Sequence, residues 1–116
     1  MTKSEELLTK KEINGIDLEY LLSERDNRRA DFLLVDVREE YEYNEKNIIG
    51  TDYLIPLSNF FNQVNQIEKH KNRHIVTTCK IGGRSAQAQM QLNRMGFQNV
   101  INLKGGISHY KGKTSP

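Results

Sequence analysis

With 116 residues, 36% of them hydrophobic and 28% charged, the chain is long enough for one domain with a single core and too short for two ordinary ones. A formal net charge of only +2 argues against nucleic acid or an anionic membrane surface as an obligatory partner. The single cysteine, Cys79, excludes an intramolecular disulfide framework and a multi-cysteine metal site and fits a reducing compartment; with no apolar signal core at Met1–Glu6 and no run near the roughly 18 apolar residues that span a bilayer, a cytoplasmic location is expected.

In chain order, the charged segment to Lys11 is expected to fray or form a loose helical turn, with Leu7 and Leu8 as its only apolar anchors. Asn14 or Asp17 can cap a helix whose Leu18, Leu21 and Leu22 recur at three- and four-residue spacing. Phe32–Val37 is a near-continuous apolar run, the pattern of a strand covered on both faces. Residues 39–47 read as a short helix or turn, and Tyr53–Ile55 as a strand stopped by Pro56. Ser58 can cap a helix with the apolar stripe Phe60, Phe61, Val64 and Ile67. Residues 69–74 form a basic connector; His70 and His74 stand four apart without a third ligand at metal-binding spacing.

The β-branched run from Ile75 leads into Cys79-Lys80-Ile81-Gly82-Gly83-Arg84-Ser85, where paired glycines free the backbone and Ser85 opens a helical segment closed by Gly96. Val100–Leu103 is the last predicted strand, Gly105-Gly106 turns into a short helix around Ile107 and Tyr110, and residues 111–116 read as a tail. Alternating strands and helices predict a three-layer α/β domain over residues 1–116, its core within about 12–110: a central, mostly parallel five-stranded sheet with helices on both faces.

Composition alone makes an unpaired cysteine at a strand end a piece of core. The loop points elsewhere. A thiol before a helix N-terminus meets free N–H groups and the positive end of the helix dipole, which favour the thiolate, and Arg84 and Lys80 add positive charge beside it. The Cys-x4-Arg spacing closes a small loop whose N–H groups can converge on one anionic atom.

Three motifs in order make the chain resemble the rhodanese family of sulfurtransferases over nearly its whole length: Asp36-Val37-Arg38 with Glu42-Tyr43, Ile48 and Gly50; the loop Cys79–Ser85; and Asn102-Leu103-Lys104-Gly105-Gly106-Ile107. Asn47 stands where the family usually has histidine, and Tyr110 where it commonly has tryptophan. The resemblance implies that the Cys79 thiolate takes the outer sulfur of a small anionic donor such as thiosulfate, holds it as a persulfide, and yields it to a thiol, cyanide or protein acceptor, with no metal or organic cofactor. It gives the N–H groups from Lys80 through Ile81, Gly82, Gly83 and Arg84 to Ser85 the task of stabilising sulfur-borne charge.

Arg84 is expected to organise the loop and bind the donor anion, Lys80 to stand at the pocket mouth, and Asp36 with Arg38 to form a supporting ion pair, Glu42 being a candidate partner of Arg38. Two rivals stand beside a sulfurtransferase. A cysteine-dependent phosphatase or arsenate reductase would use a longer Cys-x5-Arg loop for a tetrahedral oxyanion. A persulfide carrier or partner-binding module would use the same cysteine without independent turnover.

Overall fold

The computed structural model describes residues 1–116. Five strands form a parallel sheet: β1 (Glu12–Ile13), β2 (Leu33–Asp36), β4 (Tyr53–Leu54), β5 (Ile75–Thr78) and β6 (Val100–Leu103), in the order β1-β6-β5-β2-β4. Leu33 pairs with Ile75 and Ile75 with Val100, so the three central strands run level and end on one edge.

Helices cover both faces, as the apolar runs require. Successive residues into and along β2 alternate: Phe32, just before the strand, and Leu34 join Val76, Ile101, Leu18 and Leu21 in one core cluster, while Leu33 and Val35 join Ile75, Ala88, Leu92 and Val64 in the other. The first face is covered by α1 (Lys3–Leu7) and α2 (Gly15–Asp26). Asn14 caps α2, its side chain accepting from Asp17 N–H at 2.8 Å while the Asp17 carboxylate accepts from Asn14 N–H at 3.1 Å. The second face is covered by residues 57–70 and by α5 (Gly83–Arg94), with α3 (Glu40–Glu45), β3 (Asn47–Ile48), α4 (Phe60–Gln63) and β7 (Thr114–Ser115) completing the chain.

Some expectations hold in part and others are corrected. The N-terminal segment forms the helical turn, anchored by Leu7 and Leu8 in the first core cluster, but it does not fray: the Thr2 hydroxyl accepts from Glu5 N–H at 3.1 Å and the Glu5 carboxylate accepts from Thr2 N–H at 2.9 Å. Residues 111–116 are also tied in, since β7 pairs antiparallel with β3. Residues 57–70 do not make one α-helix; α4 is flanked by 3-10 turns over Leu57–Asn59 and Val64–His70. Asn59, Asn62 and Asn65 recur at three-residue spacing there, Asn62 donating to the Asn59 side chain at 2.6 Å, and such polar side chains compete with the α-helical ladder. Ser58 does not cap; its hydroxyl bonds the Glu39 carboxylate at 2.8 Å, and Phe61 points to solvent.

Candidate active site

The level ends of the central strands bring three loops together. Cys79 follows β5, Val37 and Arg38 follow β2, and Gly105–Ser108 follow β6. The Val37 N–H donates to Thr78 O at 3.0 Å, Ile107 N–H to Cys79 O at 2.9 Å, and Ser108 N–H to Lys80 O at 3.0 Å. The cysteine loop is thereby clamped on its carbonyl side by both neighbours.

On the other side its amides face the sulfur. Gly82 N–H donates to Cys79 Sγ at 3.0 Å, and the Ser85 hydroxyl lies 3.3 Å from it. Only Gly82 of the glycine pair has positive φ, at +113°; it leads into α5, which starts at Gly83 rather than at Ser85. Cys79 is 1% exposed and packs in the second core cluster, so it is core-packed and hydrogen-bonded at once. Burial pushes its thiol up, and the Ser85 hydroxyl with the Ser85, Gly82 and Ile81 N–H groups more than offsets this, leaving it below its ordinary value. Lys80 and Ile81 stand exposed at the loop tip.

Arg84 does not present a free anion-binding fork. Its two terminal nitrogens donate to the two carboxylate oxygens of Glu42 at 2.7 and 2.8 Å. Glu42 is therefore the partner of Arg84 and not, through its side chain, of Arg38; its Oε1 also accepts from Glu39 N–H at 3.0 Å. Arg38 instead folds back onto Asp36 with Nε and Nη2, at 3.0 and 2.8 Å to Oδ2, and donates to Lys46 O at 2.7 Å. Asp36 and Arg38 are 1% and 4% exposed, a buried pair whose bonds link the end of β2 to the far end of α3.

A shallow cavity of about 310 Å³ beside the loop is lined by Tyr41, Glu42, Lys46, Lys80 and Ser108 among others. Asn47 and Tyr110 are not part of this site. Asn47 donates to Tyr43 O at 3.0 Å in β3, and Tyr110 is buried in the first core cluster, on the face of the sheet away from Cys79. The site residues that sequence reasoning left without a role are Asn102 and Gly106. The signals in the sequence are a polar asparagine inside an apolar strand run and the second glycine of the pair that follows it; the structure sets that glycine at φ +54°.

Two predictions follow from these pairs. The Arg84 guanidinium holds the Glu42 carboxyl down at about 2. Because the folded value lies below the ordinary one, this stabilisation is present above about 4.3 and lost as pH falls through about 2. Glu42→Gln should flatten that acid limb in urea-midpoint measurements, and an unchanged limb would refute the assignment. Asp36→Asn should cost about 2–3 kcal/mol in denaturant unfolding, below the roughly 3–5 kcal/mol of breaking a buried pair outright, because the amide still accepts from Arg38.

No group of three or more His, Cys, Asp or Glu side chains stands close enough to hold a metal, and no helix is long and apolar enough to cross a membrane. Comparison with known proteins matches the model of the rhodanese-like domain at residues 17–113. The tRNA uridine(34) hydroxylase of Acinetobacter baumannii (strain AYE) is 32% identical over 93 residues, covering 76% of this chain and 29% of the hydroxylase. A Bacillus subtilis (strain 168) protein provisionally named sulfur carrier protein YrkF is 33% identical over 81 residues, covering 70% of this chain and 42% of that protein. The chain thus spans under half the length of either relative. A rhodanese-like domain protein from Staphylococcus aureus superposes with a TM-score of 0.76 at 26% identity, covering 90% of this chain and 94% of that one. The parallel sheet flanked by helices, the position of the cysteine loop and the match over most of its length agree: the chain belongs to the rhodanese-like family.

Proposed function

We propose that this domain is a persulfide carrier, in which Cys79 accepts one sulfane sulfur and surrenders it to a docked acceptor, with no sustained turnover of its own on small donors. The observation that carries this reading is the pairing of Arg84 with Glu42 beside a buried, amide-lined sulfur. The N–H groups suit a single sulfur anion, while the cation that would grip a dianionic donor is already neutralised. The likeness to a protein provisionally named a sulfur carrier supports the same reading.

In the loading step the Cys79 thiolate attacks the outer sulfur of a thiol persulfide. An S–S bond forms at Sγ, the donor's S–S bond breaks, and the donor leaves as its thiolate. In unloading, an acceptor nucleophile attacks the terminal sulfur and Cys79 departs as thiolate, stabilised by Gly82 N–H and the Ser85 hydroxyl.

A thiosulfate sulfurtransferase with independent turnover is the second reading, supported by the intact cysteine loop with its lowered thiol. A phosphatase or arsenate reductase is disfavoured by the same Glu42–Arg84 pair, which occupies the guanidinium an oxyanion would need. The test is mass spectrometry of the full chain after exposure to glutathione persulfide or thiosulfate, alongside steady-state thiocyanate formation from cyanide. The carrier reading expects one added sulfur on Cys79, faster from the persulfide, and little turnover. Sustained thiosulfate-dependent turnover would favour the enzyme, and a chain that takes sulfur from neither donor would sink both. Glu42→Gln, by freeing Arg84, should raise the rate of loading from thiosulfate relative to glutathione persulfide severalfold.

A further inference from the structure

Asparagine is depleted in strands, yet Asn102 lies within β6, 4% exposed, between Glu12 of β1 and Ser85 of α5. Its amide orientation is set on both sides. Nδ2 donates to the Gly82 carbonyl at 3.3 Å and to the Glu12 carboxylate at 3.4 Å, which leaves Oδ1 facing Ser85 Oγ at 2.6 Å. The reverse orientation would set the amide oxygen against two acceptors.

Ser85 is fully buried, and its one hydroxyl hydrogen has three acceptors in reach: Asn102 Oδ1 at 2.6 Å, Gly82 O at 3.2 Å and Cys79 Sγ at 3.3 Å. A hydroxyl donates to one of them at a time. Two oxygens 2.6 Å apart need a hydrogen between them, so with a protonated thiol the hydrogen rests on the asparagine side. When the sulfur carries charge, the hydrogen is drawn to it, and a buried amide oxygen loses its donor.

We propose that Asn102 is a positioning residue that competes with the Cys79 sulfur for the Ser85 hydroxyl hydrogen, so that charging the sulfur is coupled to the rotation of one buried hydroxyl. This deepens the carrier reading and rests on Cys79 as the sulfur-bearing atom. It has a use in a carrier. A sulfur anion satisfied in full by its cradle would be slow to leave, and a contested hydrogen bond keeps the bound sulfur transferable.

Cys79 is the only cysteine, so the pH dependence of its alkylation by iodoacetamide reads this coupling directly in the full chain. The charged groups around it are Arg84 with Glu42, the Asp36–Arg38 pair, Lys80, and Glu12 behind Asn102; all are retained in the variants. Ser85→Ala should move the midpoint up, and Asn102→Leu should move it down, each changing the thiolate fraction about threefold or more below the midpoint. The double variant should behave as Ser85→Ala alone, because the asparagine acts only through the hydroxyl. A rise in Asn102→Leu, or shifts that simply add, would show that Asn102 merely supports the loop and would overturn the proposal. If Asn102→Leu lacks a cooperative unfolding transition, Asn102→Ala carries the same reading. Sulfur loading of the unsubstituted chain by glutathione persulfide is scored separately, so failure of the carrier reading is distinguishable from failure of this coupling.

Discussion

Cys79→Ala should reduce sulfur loading to background while leaving the chain folded. The loss is complete because the sequence holds no second cysteine to take over as nucleophile or to resolve the persulfide. The structural cost is small because only Sγ is removed. The Ser85 hydroxyl keeps Asn102 Oδ1 and Gly82 O as acceptors, and the strand-end clamp through Ile107 N–H and Val37 N–H uses backbone alone. What remains is a small void in the second core cluster and one Gly82 N–H without its sulfur acceptor, together worth about 1–2 kcal/mol, or a few degrees in a thermal melt. Mass spectrometry and calorimetry on the same preparation separate the two effects. A variant that loses its cooperative transition would mean that packing, and not chemistry, is the main task of this residue.

The second large effect is expected at Gly106, well outside the cysteine loop in sequence. A Cβ added there would stand 2.5 Å from Lys80 O and 2.6 Å from Lys80 C, and would also strike Cys79 O. The backbone, at φ +54° and ψ −157°, lies in a region that side chains do not adopt without strain. Gly106→Ala therefore both strains its own turn and pushes the Cys79–Lys80 segment off the Ile107 and Ser108 donors, for about 4 kcal/mol when roughly 1–3 kcal/mol of strain is added to two displaced hydrogen bonds. Loading should fall with it, since the sulfur moves with its own carbonyl. Gly83→Ala is the matched control. A Cβ at Gly83 meets nothing within 4 Å and its φ is ordinary, so that variant should be neutral or slightly more stable in a denaturant titration. Equal stability of the two variants would remove the steric basis of this prediction.

The contrast between these glycines shows what was legible in the chain. Gly82-Gly83 looks like a flexible pair, but the need is unequal: Gly82 supplies the positive φ by which the chain enters the helix while its N–H stays on Sγ, and Gly83 is simply the first residue of a helix. The central strands could be read because Phe32–Val37 and Ile75–Thr78 are apolar on both faces, a pattern carried by consecutive residues. The helical faces of Leu18, Leu21 and Leu22 and of Ala88 and Leu92 were legible for the same local reason. β4 is as short as β1, β3 and β7 but sits in the apolar run Tyr53–Ile55 stopped by Pro56; the other three have no such frame, because two residues carry no period and such strands are made by their partners.

The site divides along the same line. Cys79, its amides and the short Asp36–Arg38 pair lie close in sequence and could be read there. The Arg84–Glu42 fork spans 42 positions and the contact between Asn102 and Ser85 spans 17, and charge type alone does not say which carboxylate an arginine finds. A fork expected to hold a donor anion is held instead by the protein's own carboxylate, a difference that only the placement of α3 beside the start of α5 decides.

The clamping of the loop from behind has one more consequence. Cys79 O, Lys80 O and Gly82 O are each engaged by a neighbouring donor, while the Gly82 N–H is turned to the sulfur. These peptide units are sorted by polarity, their oxygens turned outward to the scaffold and the Gly82 hydrogen inward to Cys79 Sγ. Selection by the sign of charge is then a property of the main chain, and Lys80 at the rim can tune it but did not create it. Substitutions around the mouth can then change which anions approach, while the preference for negative charge at Cys79 Sγ stays with the backbone.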